Sequence, residues 1–106
     1  MDRGELQRLE SGRWELLRVL NVAGHIGATE TMMFHALVAQ WVRTTREWVR
    51  NQLDYLESRD LIALERHDIR DWRAKLTRHG WDLTSYVVDC EPGIARPPKY
   101  WGDEER

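Results

Sequence analysis

The chain has 106 residues, 42% of them hydrophobic and 32% charged, which fits one small domain with a single core. Sixteen Lys and Arg stand against eighteen Asp and Glu, a net charge of −2, and this excludes a basic nucleic-acid coat protein or a polyanionic tail. One cysteine, Cys90, excludes a disulfide framework and a four-thiolate zinc site, and it fits a reducing, cytoplasmic compartment.

Taken in chain order, residues 1–10 alternate charges and read as an N-terminal extension without the apolar stretch of a signal peptide, or as a loose extension of the first helix through Leu6 and Leu9. The domain proper is expected over residues 11–88. Its first helix starts at Ser11 as N-cap and carries Trp14, Leu16, Leu17, Leu20 and Ala23 at helical spacing. Gly24 and Gly27 end it in a turn. Thr29 caps a second helix, with Glu30 favourable in its first turn. That helix is apolar on most sides, so it is either fully packed or shared with a partner.

The third helix has the clearest signature. Thr44-Thr45-Arg46-Glu47 reads as a capping box, and Val49, Leu53 and Leu56 form a core stripe. Arg46, Glu47, Arg50, Asn51 and Asp54 fall on the opposite arc, and Trp48, Gln52 and Tyr55 share a flank; Trp48 and Tyr55 are expected to pack on the second helix, with stacking on single-stranded bases the alternative. Two short alternating strands follow, around Ile62–Glu65 and Trp72–Leu76, with a polar tip at residues 67–70. A last helix begins near Thr77 and runs through Tyr86, and its internal Gly80 makes sense only where backbones pass closely. Residues 89–106 form a proline-containing C-terminal tail, with Pro97-Pro98 favouring an extended conformation. The longest uncharged runs, Val19–Thr29 and Thr31–Val42, are too short to span a bilayer.

The order helix, helix, helix, strand, strand, helix predicts a mainly α (α+β) winged helix-turn-helix: three helices, a two-stranded wing and a C-terminal helix. The segment TREWVRNQLDYLESRDLI, Thr45–Ile62, resembles the recognition helix and first wing strand of small bacterial winged-helix regulators. AKLTRHGWDL, Ala74–Leu83, resembles the L-T-x-x-G-x-x-L end of the wing in the ArsR and MarR type. A closer resemblance is to winged-helix proteins of roughly a hundred residues encoded in Mu-like transposable phages and prophages. There, V-R-x-x-L-x-x-L-E is followed by L-T-x-x-G-x-D and a P-G-V-x-R-P tail. Here these stand at Val49–Glu57, Leu76–Asp82 and Pro92–Pro97, with Ile94 in place of the valine. The resemblance covers about residues 11–98 and implies a transcriptional regulator. The metal-sensing members of the ArsR group use paired cysteines, so metal sensing is not implied for a chain with one.

The charges locate the expected DNA contacts. Residues 43–78 carry nine basic residues against seven acids and are the net-positive stretch, whereas residues 79–106 sum to −3. Arg46, Arg50 and Asn51 are the candidate base readers, since Arg grips guanine and Asn adenine through paired hydrogen bonds. Arg43, Thr44 and Thr45 stand where helix amides hold a phosphate. In the wing, Arg66, His67, Arg70 and Arg73 face backbone or minor groove. A solvated face, with Arg50 paired to Asp54 one turn on, is the plain alternative. The third helix is itself neutral, Arg46, Arg50 and Arg59 against Glu47, Asp54 and Glu57, which suits DNA poorly.

Six Trp in so small a chain point to an interface. Met33, Phe34, Val38 and Trp41 of the second helix, with Tyr100 and Trp101 of the tail, are its candidates in a two-fold homodimer. The rival function is a winged-helix protein–protein interaction module in phage development, with a phage or host partner and no specific DNA binding. No cofactor is expected. The four His and Cys90 lack metal-ligand spacing, and no nucleotide or catalytic motif suggests an enzyme.

Overall fold

Asp2, rather than Ser11, starts the first helix. Its carboxylate accepts a hydrogen bond from the Glu5 amide at 2.7 Å, and the Glu5 side chain reaches back to the Asp2 amide. This capping box commits the preceding turns to helix. Helix α1 therefore spans Arg3–Ala23, and Ser11 lies exposed in its middle. Here, in the computed structural model, residues 2–40 and 43–99 are described.

A 3₁₀ turn over Gly24–Ile26 follows α1. Gly27 then takes φ 79°, and a Cβ there would lie 2.3 Å from the Ala74 carbonyl oxygen. Only glycine meets both demands. This close approach brings residues 28–29 beside a later strand. The result is β1, Ala28–Thr29, a strand of two residues that the sequence does not announce because two residues show no period.

Thr29 caps α2, Glu30–Ala39, as expected. Helix α3, Arg46–Ser58, is capped by Thr45, one residue later than the predicted Thr44. Val49, Leu53 and Leu56 are fully buried, as their spacing predicts. Strands β2, Ile62–Glu65, and β3, Arg73–Leu76, form an antiparallel hairpin with Ile62 opposite Leu76 and Leu64 opposite Ala74. Because β1 pairs with the free side of β3, the predicted two-stranded element is a three-stranded antiparallel sheet of order β1-β3-β2.

Helix α4 spans Arg78–Thr84, with Thr77 as N-cap. It stops short of the predicted Tyr86, which takes the left-handed φ of 63°. Gly80 has the expected reason: a Cβ there would stand 2.1 Å from the Leu61 carbonyl oxygen. The architecture is thus α+β, with four α-helices around one sheet. The core collects leucines from every helix, among them Leu17, Leu37, Leu53 and Leu83, with Ile62 and Ala74 from the sheet.

The segment after α4 packs back along the helices. Ile94 joins the core, and the Ala95 amide donates to the Glu10 carbonyl at 3.1 Å. Arg96 donates to the Leu83 and Val88 carbonyls, each at 2.9 Å, which ties this segment to the end of α4. Among the described residues, no helix is long and apolar enough to cross a membrane.

Candidate nucleic-acid interface

At about 100° per residue, the buried stripe of α3 (Val49, Gln52, Leu53, Leu56) leaves Glu47, Asn51, Asp54 and Ser58 pointing furthest from the core. Glu47, Asn51, Asp54 and Ser58 are all exposed. Arg46, Arg50 and Glu57 lie on the flank toward α2 and the hairpin. Trp48, Tyr55 and Arg59 lie on the other.

The cap explains the state of the first turn. The Thr45 hydroxyl accepts from the Trp48 amide at 3.0 Å, so it is engaged in ending the helix. Thr44 donates its hydroxyl to the Thr45 carbonyl at 3.1 Å. With Thr45 as the cap, Glu47 is the second helical residue. It is one position too early for the reciprocal bond of a capping box, and its carboxylate stays outward. Arg43 is exposed and has no side-chain partner among the described residues.

Both predicted arginine readers turn to partners in the fold, Arg50 to a buried carboxylate and Arg46, itself exposed, to Thr31 and the half-exposed Asp71. Glu30, the first residue of α2, is 1% exposed. Its Oε1 accepts from Arg50 Nη2 at 2.8 Å and from the Trp72 amide at 3.1 Å. Arg50 also lies over the Trp72 ring, 4.6 Å from its centroid. This bond to Glu30 raises the Arg50 pKa, in spite of the desolvation that opposes it. Arg46 Nη1 donates to the Thr31 hydroxyl at 3.0 Å and stands 3.4 Å from Asp71 and 3.9 Å from Glu30. The Thr31 amide donates to Asp71 at 3.0 Å. The Thr31 hydroxyl and amide, and then the nearby arginines, hold the Asp71 carboxyl below its ordinary range. Arg50 thus pairs across 20 residues of chain with Glu30, not with Asp54 one turn away.

Magnitudes separate these arginines. Removing Arg50 from Glu30 strips the main partner from a buried carboxylate, a cost of about 3–5 kcal/mol. One paired contact to guanine returns about 1–3 kcal/mol. On that balance Arg50 stays where it is. Arg66 is different: it sits between Asp54 and Glu57, each at 2.6 Å, and all three side chains are more than a third exposed. Such solvated pairs are weak and screened by salt. Arg66 also lies 5.2 Å from the Trp72 ring centroid.

The rest of the hairpin is mixed. Arg70 is exposed and His67 half-buried, and neither has a side-chain partner among the described residues. Arg73 donates to the Ile26 carbonyl at 3.4 Å. With Thr29, Glu65 and Asp71, these three residues line an open groove of about 700 Å³ carrying both signs of charge.

Several expected interface residues belong elsewhere. Met33 is fully buried: the cap at Thr29 phases α2 so that Glu30, Met33 and Leu37 face inward. Phe34 is half-buried beneath the Arg46 guanidinium, 5.3 Å from the ring centroid. Val38 remains half exposed. Trp41, Tyr100 and Trp101 lie outside the described residues. Trp48 packs on α1, against Gly12, rather than on the second helix. Tyr55 lies under Arg13, 3.7 Å from its ring centroid, and Arg13 donates to the buried Gln52 at 2.8 Å. Nothing local in the sequence marks Glu30, Gln52 or Asp71 as partners, since each works across a large separation. Among the described residues, no three His, Cys, Asp or Glu stand together as metal ligands. Burial pushes the Cys90 thiol pKa up.

Comparison with known proteins yields no relative: no family model, curated protein or solved structure matches the chain.

Proposed function

We propose that this chain is a winged helix-turn-helix protein that binds duplex DNA as a regulator, with α3 in the major groove and the β2–β3 hairpin as the wing. One observation carries the reading. The elements follow the order α1-β1-α2-α3-β2-β3, and α3 turns an exposed polar stripe outward, with Arg43 exposed just ahead of it in the chain and Arg70 exposed in the hairpin. The sequence resemblance to phage-encoded winged-helix regulators points the same way. In this reading Arg43 and Arg70 hold phosphates, which set position and carry no sequence information. Arg50 is structural. A two-fold pair of copies would present two such helices to half-sites one turn apart.

Selection from a random duplex pool at near-physiological salt tests it. The expected result is an enriched motif. Arg43→Ala and Arg70→Ala should each lower the slope of log affinity against log salt by about 1. No enrichment, with slopes unchanged in both variants, would sink the proposal.

A second reading has its own support. Arg46, Arg50 and Arg66 are neutralised by Glu30, Asp71, Asp54 and Glu57, which leaves little uncompensated positive charge on this face. That suits a winged-helix module whose partner is another protein.

A further inference from the structure

We infer that α3 reads adenine through Asn51 and cytosine through Glu47, and that the arginines beside them read no base. This rests on the DNA-binding reading above. Four side chains point furthest outward from α3, and two of them are already engaged. Asp54 accepts from Arg66 at 2.6 Å, and the Ser58 hydroxyl donates to the Tyr55 carbonyl at 2.6 Å. Glu47 and Asn51 are exposed and have no side-chain partner among the described residues. The late cap at Thr45 is what leaves Glu47 unengaged, and Arg50 and Arg46 turn aside to Glu30, Thr31 and Asp71.

The chemistry of the two groups selects the bases. A carboxylate only accepts, and the cytosine N4 amine is a donor in the major groove. An Asn amide both donates and accepts, which matches adenine N6 and N7. Glu47 and Asn51 are four residues apart on one helix face, about 6 Å along the axis. Base pairs rise about 3.4 Å each. The two readings therefore fall about two base pairs apart. Both groups lie in the first half of α3, the part of such a helix that meets base edges.

The test repeats the duplex selection with wild type, Asn51→Ala, Glu47→Gln and Arg46→Ala. The wild-type motif should hold an adenine and a cytosine about two base pairs apart. Asn51→Ala should cut discrimination at the adenine by about ten-fold and leave the cytosine unchanged. Glu47→Gln should relax the cytosine, and it should also raise overall affinity, because it removes a negative charge from the phosphate surface. The affinity rise would follow from any exposed carboxylate on this face, so the relaxed cytosine is the change that a Glu47 reading no base would not produce. Both residues are exposed, so circular dichroism should show unaltered folding. A motif built on guanine and lost in Arg46→Ala would overturn the inference and leave DNA binding standing. So would a motif that neither Asn51→Ala nor Glu47→Gln alters. If wild type enriches no motif, this inference falls, and the parent reading falls with it only where the salt slopes of Arg43→Ala and Arg70→Ala are unchanged as well.

Discussion

Arg50 and Arg66 carry the same guanidinium, stand over the same Trp72 ring and pair with carboxylates, yet they should behave in opposite ways. The difference is the partner's burial. Glu30 is 1% exposed, so Arg50, in place of water, is the main compensation of its carboxylate. Arg50→Ala should lower stability by about 3 kcal/mol, the low end for a broken buried pair because Arg46 stands 3.9 Å away. Arg66→Ala should leave the unfolding midpoint nearly unchanged, since Asp54 and Glu57 are hydrated without it. Urea unfolding of the two variants checks this. Equal losses would mean that the Glu30 pair is no stronger than a surface contact.

Elements that rest on local rules were legible in the sequence. The stripe of Val49, Leu53 and Leu56 and the caps at Thr29 and Thr77 follow from spacing and from single side chains. Gly80 was legible as a misfit: a glycine inside a helix pattern signals crowding, and the crowding is the Leu61 carbonyl. Gly80→Ala should therefore destabilise by about 1–3 kcal/mol, where an exposed helix position would gain from the same change. A melting temperature at or above wild type would show that the two backbones can part freely. What the sequence hid was non-local. Strand β1 exists because Gly27 lets residues 28–29 reach β3, and Arg50 finds Glu30 only after α2 and α3 pack. Helical spacing favoured the nearer Asp54 as its partner. The start of α1 was misread for a different reason: Ser11 and Asp2 are both competent caps, and only Asp2 has its reciprocal Glu three residues on.

At the scale of the whole molecule, the segment from Gly93 to Pro97 ties distant parts together. Arg13 of α1 donates to the Gly93 carbonyl at 3.0 Å, the Tyr86 hydroxyl donates to the Pro97 carbonyl at 2.7 Å, and Ala95 reaches Glu10. Ile94 is the apolar anchor, 7% exposed. Ile94→Ala should cost about 2–4 kcal/mol if this segment is part of the cooperative fold. That is a fall of roughly 8–30 °C in melting temperature for a domain of this size. A change below 2 °C would place the segment outside the folding unit. Deleting the segment should then be harmless to α1 and α3.

The buried pairing of Glu30 with Arg50 also sets how the molecule meets a curved or twisted target. Glu30 opens α2, Arg50 lies on α3, and Trp72, which donates to the same carboxylate, leads into β3. The angle between these elements cannot change without uncovering a charge. If the chain binds DNA as proposed, a protein so braced would not adapt its shape to the duplex, and the duplex would have to adapt to it. Sites would then be ranked partly by how readily their steps bend, and flexible pyrimidine–purine steps would be favoured at positions no side chain touches.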